Sequence, residues 1–513
     1  MGLFNSILSW VMKKRIHQIE LFLKYPHDVQ NDVFNNLVTT ARDTEFGQAH
    51  GFKDIDNLEQ FKRQVPIRAY EELFPYIDRT MKGEQNLLWP STISWFAKSS
   101  GTTNARSKFI PVSEEAMEDC HMKAGKDMIA MYLNNHPESK LFEGKSLSIG
   151  GSQQINPHDL SGNSHYGDVS AVIMKNMPLW AKFVRTPSEE VALMENWDEK
   201  LERMAREVAD EQVTSMAGVP TWTLLVLQRV MELKGVNDVS EVWPDLEAFF
   251  HGAVAFGPYR QLFKSIISAP QMKYIEVYNA SEGFFGIQDT TNDDEMLLML
   301  DYGIFYEFIP IEEETSDDPK VLQLSEVELG KNYALIISSN AGLWRYKIGD
   351  TIRFTSLSPF RIKISGRTKH FINAFGEEVI VENAETAISH ACYLTGSIIA
   401  NFTAGPVYLQ QGKQGGHEWI IEFEQAPADL EQFTNLLDEK LREINSDYDA
   451  KRQADIALVK PKVHTVPSGT FHEWMRQRGK LGGQNKVPRL SNTREYLDDI
   501  LEMIEVTRQP SAN

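Results

Sequence analysis

A formal net charge of −20 spread over 513 residues repels a nucleic-acid backbone on average, which excludes nonspecific nucleic-acid binding. The composition, 42% hydrophobic and 24% charged, is that of a globular protein, and the length supplies more than one core. Cys120 and Cys392 stand far apart without metal-ligand companions, and no apolar run reaches the roughly 18 residues of a spanning helix, so a reducing cytoplasmic setting without stable membrane insertion is expected.

Residues 1 to about 90 read as mostly helical, punctuated by Pro66, Pro75 and Pro90, and the spacing of Ile16, Ile19, Phe22 and Leu23 predicts an amphipathic helix packed on the body. Strands expected at 94–97 and 109–112 then flank Lys98 through Lys108, a run of hydroxyls around Gly101. Glycine lets backbone amides approach an anion, hydroxyls donate further hydrogen bonds, and Lys98, Arg106 and Lys108 add positive charge, so the loop suits polyphosphate. It lacks the Gly-Lys-Ser/Thr close of a Walker loop, and read alone it fits a polar hairpin connection better than a phosphate cradle. Ser113, followed by Glu114 and Glu115, is placed to start a helix running to about Asn134, and a strand at 146–149 enters Gly150-Gly151. Val191, Met194, Trp197, Leu201, Met204 and Val208 recur at helical spacing after Ser188 and predict one long helix; Pro220 opens another, to about Leu233.

A strand at 274–278 ends at Asn279-Ala280-Ser281-Glu282-Gly283, and ligands gather at the carboxyl ends of strands in α/β sheets. Further strands are expected at 284–287, 296–300, 304–308 and 333–338, with a continuation through Trp344-Arg345-Tyr346 that ends at Gly349-Asp350. Beyond Ser365-Gly366-Arg367-Thr368-Lys369 the pattern changes to short alternating elements, with strands near 397–402, 418–423 and 456–463 and helices near 383–390 and 428–444. The boundary is therefore placed at 367/368, giving regions 1–367 and 368–513. Arg476, Arg478, Lys480, Lys486 and Arg489 form a basic cluster that reads, by itself, as a solvated helix face.

Taken in order, Ser99-Ser100-Gly101-Thr102-Thr103, Tyr278-Asn279-Ala280-Ser281-Glu282, Tyr346-Lys347-Ile348-Gly349-Asp350, Ser365-Gly366-Arg367 and Lys486-Val487-Pro488-Arg489 resemble the motifs of the adenylate-forming superfamily of acyl-CoA synthetases, luciferases and peptide-synthetase adenylation domains. Within it, the third and fifth motifs, Tyr-Lys-Ile-Gly-Asp and Lys-Val-Pro-Arg, look like those of the plant auxin-responsive acyl-acid amido synthetases and their bacterial relatives. One departure is Asn104-Ala105, where the superfamily loop has a glycine.

The resemblance implies an α/β fold: a large N-terminal domain with several β-sheets flanked by helices, plus a small mobile α+β C-terminal domain. It implies an ATP-dependent, AMP-forming ligase that uses Mg2+, adenylates a carboxylic acid and passes the acyl group to an amine, an amino acid, forming an amide; an acyl-CoA ligase or a catalytically silent ligand-binding relative is the alternative. Activation is needed because a carboxylate oxygen is a poor leaving group at neutral pH. By this resemblance Ser99, Ser100, Gly101, Thr102, Thr103 and Lys108 surround the β- and γ-phosphates, Glu282 binds magnesium with Ser281 beside it, Tyr278 meets the adenine and Asp350 the ribose hydroxyls. Arg367 supports the ribose side of the hinge, and Lys486 supplies positive charge to the transferred phosphoryl group, which makes its basic neighbours a triphosphate-facing surface. Gly252-Ala253 resembles the adenine-side turn. Segments 148–152, 169–178 and 217–222, rich in small, Met and aromatic side chains, are the expected pocket for an apolar or aromatic acid.

Overall fold

Runs of apolar residues too short for helices become strands, and most of them collect in one sheet. The computed structural model describes residues 14–99, 108–151, 153–155, 164–194, 196–253, 256–290, 295–314, 316, 318–367, 371–372, 377, 379–407, 415–445, 448–449, 452, 458–480, 486–491 and 493–508. In chain order the strands are β1 (Trp95–Ser99), β2 (Lys108–Val112), β3 (Lys145–Ser148), β4 (Gln153–Ile155), β5 (His165–Gly167), β6 (Arg185–Thr186), β7 (Val213–Gly218), β8 (Ala248–Gly252), β9 (Lys273–Ala280) and β10 (Gly283–Ile287). They continue as β11 (Met296–Leu298), β12 (Ile304–Pro310), β13 (Asn332–Ser339), β14 (Tyr346–Leu357), β15 (Phe360–Arg367), β16 (Phe371–Ile372), β17 (Val379–Ile380), β18 (Ile398–Val407), β19 (Gly416–Gln425) and β20 (Lys462–Val466).

The large sheet has the order β12-β13-β14-β15-β11-β10-β9-β8-β7-β3-β6. From β6 to β9 the pairings are parallel, and antiparallel pairings such as β9 with β10 and β13 with β14 extend the other side. β10 is buried along its whole length and β12 along nearly all of it, as strands covered on both faces must be. The crossover helix Pro220–Lys234 begins on its proline and stops at Gly235, whose left-handed φ of 68° supplies the C-terminal turn. A second sheet, β2-β1-β5-β4, sets Ser99 opposite Lys108, so these two residues frame residues 100–107, which lie outside the described set. The N-terminal helix, residues 14–24, buries Ile19 and Phe22 as expected, and its Arg15 pairs with Asp127 and Asp301.

Three stretches depart from the sequence expectation. The single helix after Ser188 is two, Glu189–Ala192 and Trp197–Val208: the Ser188 hydroxyl donates to Glu207 (2.9 Å), and the Asn196 side chain caps the second helix by accepting from the Glu199 amide (3.0 Å). The helix after β2 opens with a π-helical segment, Ala116–Met122, before Lys123–Asn135, although Ser113 caps it as expected by accepting from the Ala116 amide (2.9 Å). Most consequential, β14 begins at Tyr346 and carries Gly349-Asp350 inside it instead of ending there. Its register against β13 slips between Ala334 and Ile336, and Gly349, at φ 92°, takes the conformation that this bulge requires and re-aims Asp350.

The turn into β14 holds Arg345 at φ 44°, a conformation that costs a non-glycine residue about 1–3 kcal/mol. Its surroundings compensate. The buried guanidinium donates to both carboxylate oxygens of buried Glu307 (2.9 and 3.0 Å) and to the Val65 carbonyl (2.8 Å), while its amide donates to Ser338 Oγ (3.0 Å).

The chain divides into two compact units, one of residues to Ala253 together with Ser268–Lys363, the other of Val254–Ile267 together with the chain from Ile364. The second has the β18-β19-β20 sheet and the β16–β17 pair, with Val381–Thr395 and Leu430–Ile444 packed through Ala387, Ile388, Phe433 and Leu437 on Phe402, Trp419 and Ile421. Sequence alone does not show that the short helix Arg260–Ile266 and the preceding turn Gly257–Tyr259 belong here, where the turn packs on Val381–Thr395 and β18. No helix among the described residues is long and apolar enough to cross a membrane.

Removing one partner of a buried ion pair strands the other, so Arg345→Met is expected to lower the unfolding free energy by about 3–5 kcal/mol. The urea midpoint reports it; a loss below about 1 kcal/mol would show that the turn is held by something else.

Candidate active site

The parallel strands β3, β7, β8 and β9 end at Ser148, Gly218, Gly252 and Ala280. Around this carboxyl edge of the first unit stand Tyr278, Ser281, Glu282, Asp350 and Lys108, five of the residues singled out by sequence. At Gly252 a Cβ would collide with the Val277 carbonyl, and Ala253 beyond it stands at φ 73°, so the turn brings bare backbone to the edge. Tyr278, buried on β9, donates its hydroxyl to Asp350 Oδ2 at 2.7 Å, joining the expected adenine and ribose residues. The bulge in β14 makes that contact possible.

Ser281 and Glu282 form the turn between β9 and β10. The Ser281 hydroxyl is buried and has no partner among the described residues, an unsatisfied group of the kind a polar ligand completes. Glu282 Oε1 accepts from the Tyr346 hydroxyl (3.3 Å), and the Lys108 ammonium donates to the same hydroxyl (3.4 Å). Lys108 also lies 5.5 Å from the Tyr70 ring centre and 5.9 Å from that of Tyr346, within cation–π range. Tyr70 in turn accepts from the Phe109 amide (2.8 Å), which pins β2 beside the lysine. Burial pushes the Tyr70 phenol up to about 12 and, with Glu282 adding to it, the Tyr346 phenol well above its ordinary value, so both hydroxyls stay protonated.

Most of the other expected residues lie outside the described set. Ser99 ends β1, its side chain, like Ser100, Gly101, Thr102 and Thr103, falling outside the described set; so does the side chain of Arg367 at the end of β15. Lys486 belongs to the second unit and is exposed. The peptide behind it is fastened to β18: Thr403 donates to the Pro488 carbonyl (2.6 Å), the Ala404 amide to that of Arg489 (2.9 Å). The basic cluster does not act as one surface, because Arg489 is buried against Phe402 and Tyr259 while Arg476 and Arg478 pair with Glu473 (2.8 Å) and Glu495 (3.0 Å).

In the expected acyl region, Met174 packs beneath Gly150, where a Cβ would lie 2.6 Å from its sulfur, and a Cβ on Gly151 would collide with Asp168. Sequence reasoning missed three buried polar residues here or nearby. Lys200 donates to the carbonyls of Gly150 (2.5 Å) and Gly151 (3.3 Å); its place four residues before Met204, on the apolar stripe, is the signal that marks it. Arg185 donates to Met174 Sδ (3.0 Å) and its Nε has no partner among the described residues. His121, on the π-helical segment that packs against both β10 and the helix Val169–Asn176, keeps a buried Nδ1 without a partner, and burial pushes its imidazole down to about 4, so it is neutral.

Burial pushes the Lys200 ammonium down to about 8 from 10.5, against the opposing pull of Asp168. Below about pH 8 both folded and unfolded chains carry the proton and the cost of burying charge is felt in full; above it the unfolded chain holds more protons, so stability rises with pH until the unfolded lysine also titrates. The stability of the wild type relative to Lys200→Met should therefore climb between about pH 8 and 10.5, by at most about 1.4 kcal/mol per pH unit. A flat difference in denaturant titrations across that window would rule this out.

Comparison with known proteins covers most of the chain. Residues 15–272 match the GH3 family N-terminal domain, 297–367 the GH3 family central domain and 382–495 the GH3 family C-terminal domain. Among curated relatives, the indole-3-acetic acid-amido synthetase GH3.3 of Arabidopsis thaliana is 22% identical, with 93% of this chain and 91% of that protein covered. The 4-substituted benzoates-glutamate ligase GH3.12 of the same plant is 23% identical, with 94% and 95% covered. The solved structure of the GH3.15 acyl acid amido synthetase in complex with 2,4-DB superposes with a TM-score of 0.78 at 17% identity, over 96% of each chain. The fold is thus that of the adenylate-forming enzymes, and the chain belongs to the GH3 family.

Proposed function

We infer that this protein is an ATP-dependent, AMP-forming acyl-acid amido synthetase. The observation that carries the reading is the convergence of Lys108, Glu282, Tyr278 and Asp350, through Tyr346 and the β14 bulge, at the carboxyl edge of the sheet in a GH3 chain. In the first half-reaction an oxygen of the acid attacks the α-phosphate of ATP and pyrophosphate leaves; in the second an amine attacks the acyl carbon, loses a proton and releases AMP. Positioning and charge neutralisation do most of such work.

Lys108, with the hydroxyls and amides of residues 99–103, holds the β- and γ-phosphates. Asp350 accepts from the ribose hydroxyls, Tyr278 edges the adenine, and Arg367 supports the ribose side of the hinge. Glu282 fits magnesium, and Ser281 completes its surroundings: no three His, Cys, Asp or Glu side chains cluster as a metal site among the described residues, and Mg2+ takes one or two protein carboxylates together with phosphate oxygens and water. Bound there, the ion would neutralise charge on the polyphosphate. Lys486 supplies positive charge to the transferred phosphoryl group once its unit closes, and that unit reorients before the amine attacks. The acid is apolar or aromatic, received near Ser148, Met174 and Trp222, and the amine is an amino acid; relatives that act on indole-3-acetic acid and on benzoates with glutamate support both. Two buried free cysteines, Cys120 and Cys392, suit the cytosol.

Pyrophosphate exchange with a panel of aryl and arylalkyl acids tests the first half-reaction, and acceleration of AMP release by amino acids but not by coenzyme A tests the second. Acceleration by coenzyme A alone would make the protein a thioester-forming ligase. Lys486→Ala should keep ATP binding and lose roughly 10²–10³ in exchange rate; near-normal exchange would remove Lys486 from its role.

A further inference from the structure

We propose that Tyr346 is a positioning residue for adenylation: its hydroxyl, interposed between the Lys108 ammonium and the Glu282 carboxylate, keeps these opposite charges from closing on each other, so that one remains directed to a nucleotide phosphate and the other to a divalent cation. The inference rests on the roles given above to Lys108 and Glu282 and assigns a new one to the tyrosine between them.

Both charged groups reach the same phenolic oxygen, the lysine at 3.4 Å as donor and the carboxylate at 3.3 Å as acceptor. A hydroxyl suits this place because one oxygen accepts and donates at once, whereas an ionised carboxylate only accepts and an ammonium only donates. The alternative for a flexible lysine beside a glutamate is visible at the next residue, where Lys347 closes directly on Glu314 at 2.8 Å. A direct Lys108–Glu282 pair would have to be broken by every incoming nucleotide. The spacer cannot swing away. Tyr346 is fully buried, and the backbone on either side is fixed by the Arg68 amide donating to the Arg345 carbonyl (3.0 Å) and the Lys347 amide donating to the Arg68 carbonyl (2.8 Å). The bidentate Arg345–Glu307 pair holds the turn before it. Burial and the adjacent carboxylate both disfavour the phenolate, so the spacer remains neutral over the working range of pH.

The test compares the full-length wild type with Tyr346→Phe, which keeps the buried ring and loses only the oxygen. Two readouts are taken well below the melting temperature: the Mg2+ and ATP dependence of pyrophosphate exchange at saturating acid, and calorimetric binding of a non-hydrolysable ATP analogue with Mg2+. The expected result is that the half-saturating Mg2+ and the ATP KM both rise about tenfold, as when ligands must first open an ion pair, while kcat at saturation changes little. In a Lys108→Met background the same Tyr346→Phe change should have no further effect on Mg2+ dependence, since the competing cation is gone. Unchanged Mg2+ and ATP dependence in Tyr346→Phe overturns the proposal, as does an equal shift with and without Lys108. Failure of the underlying reading looks different: wild type that exchanges pyrophosphate with no acid, or Glu282→Gln with wild-type Mg2+ dependence.

Discussion

One buried ion pair sets the geometry from which the rest of the site follows. Arg345 adopts a backbone conformation that an L-residue avoids, and it does so because Glu307 and the Val65 carbonyl grip its guanidinium while the Ser338 hydroxyl accepts from its backbone amide. Desolvating both charges is expensive, and an apolar replacement of the same shape often does as well for stability. What an apolar pair does not provide is direction. The fork of the guanidinium fixes the turn, the turn fixes where β14 starts, and that start decides which way Tyr346 faces and where the bulge at Gly349 delivers Asp350.

The site concentrates positive charge within an acidic chain. The chain is strongly acidic overall, yet a lysine stands between two aromatic rings beside β2, and an arginine and a lysine are buried near Gly150. A polyanionic nucleotide approaching an acidic protein needs such local exceptions, and burial strengthens them by removing water from around the cation. The tyrosines serve as neutral material between charges. Tyr70, Tyr278 and Tyr346 each offer a face or an edge to pack and one hydroxyl to orient, without adding a formal charge.

Much of the fold was legible in the sequence where local signals agree with the final structure. The apolar runs of β9, β13 and β19 and the proline-to-glycine span of Pro220–Gly235 needed no tertiary information. The break at Asn196 was not legible, because the apolar stripe continues across it and only the cap on Glu199 reveals it. The start of β14 was hidden for a stronger reason: the conformation of Arg345 is dictated by a glutamate 38 residues away. At the site, motif order located Glu282, Tyr278 and Asp350, whereas the part played by Tyr346 exists only once Lys108 and Glu282 are seen on either side of its hydroxyl. Arg185 looks like a surface residue until its burial is known, whereas Lys200 is betrayed only by its place on the apolar stripe before Met204.

The segment Val254–Ile267 leaves the first unit after β8, contributes Phe256, Tyr259, Leu262, Phe263 and Ile267 to buried positions in the second, and returns to begin β9. Its partners, the helix Val381–Thr395 and β18, are translated more than a hundred residues later. At about 5–20 residues per second, these aromatic and aliphatic side chains wait on the order of ten seconds on a nascent chain with nothing to cover them. The second unit is thus completed by a segment made well before the rest of it. One fourteen-residue excursion therefore makes the order of synthesis differ from the order in which the two units are spatially complete.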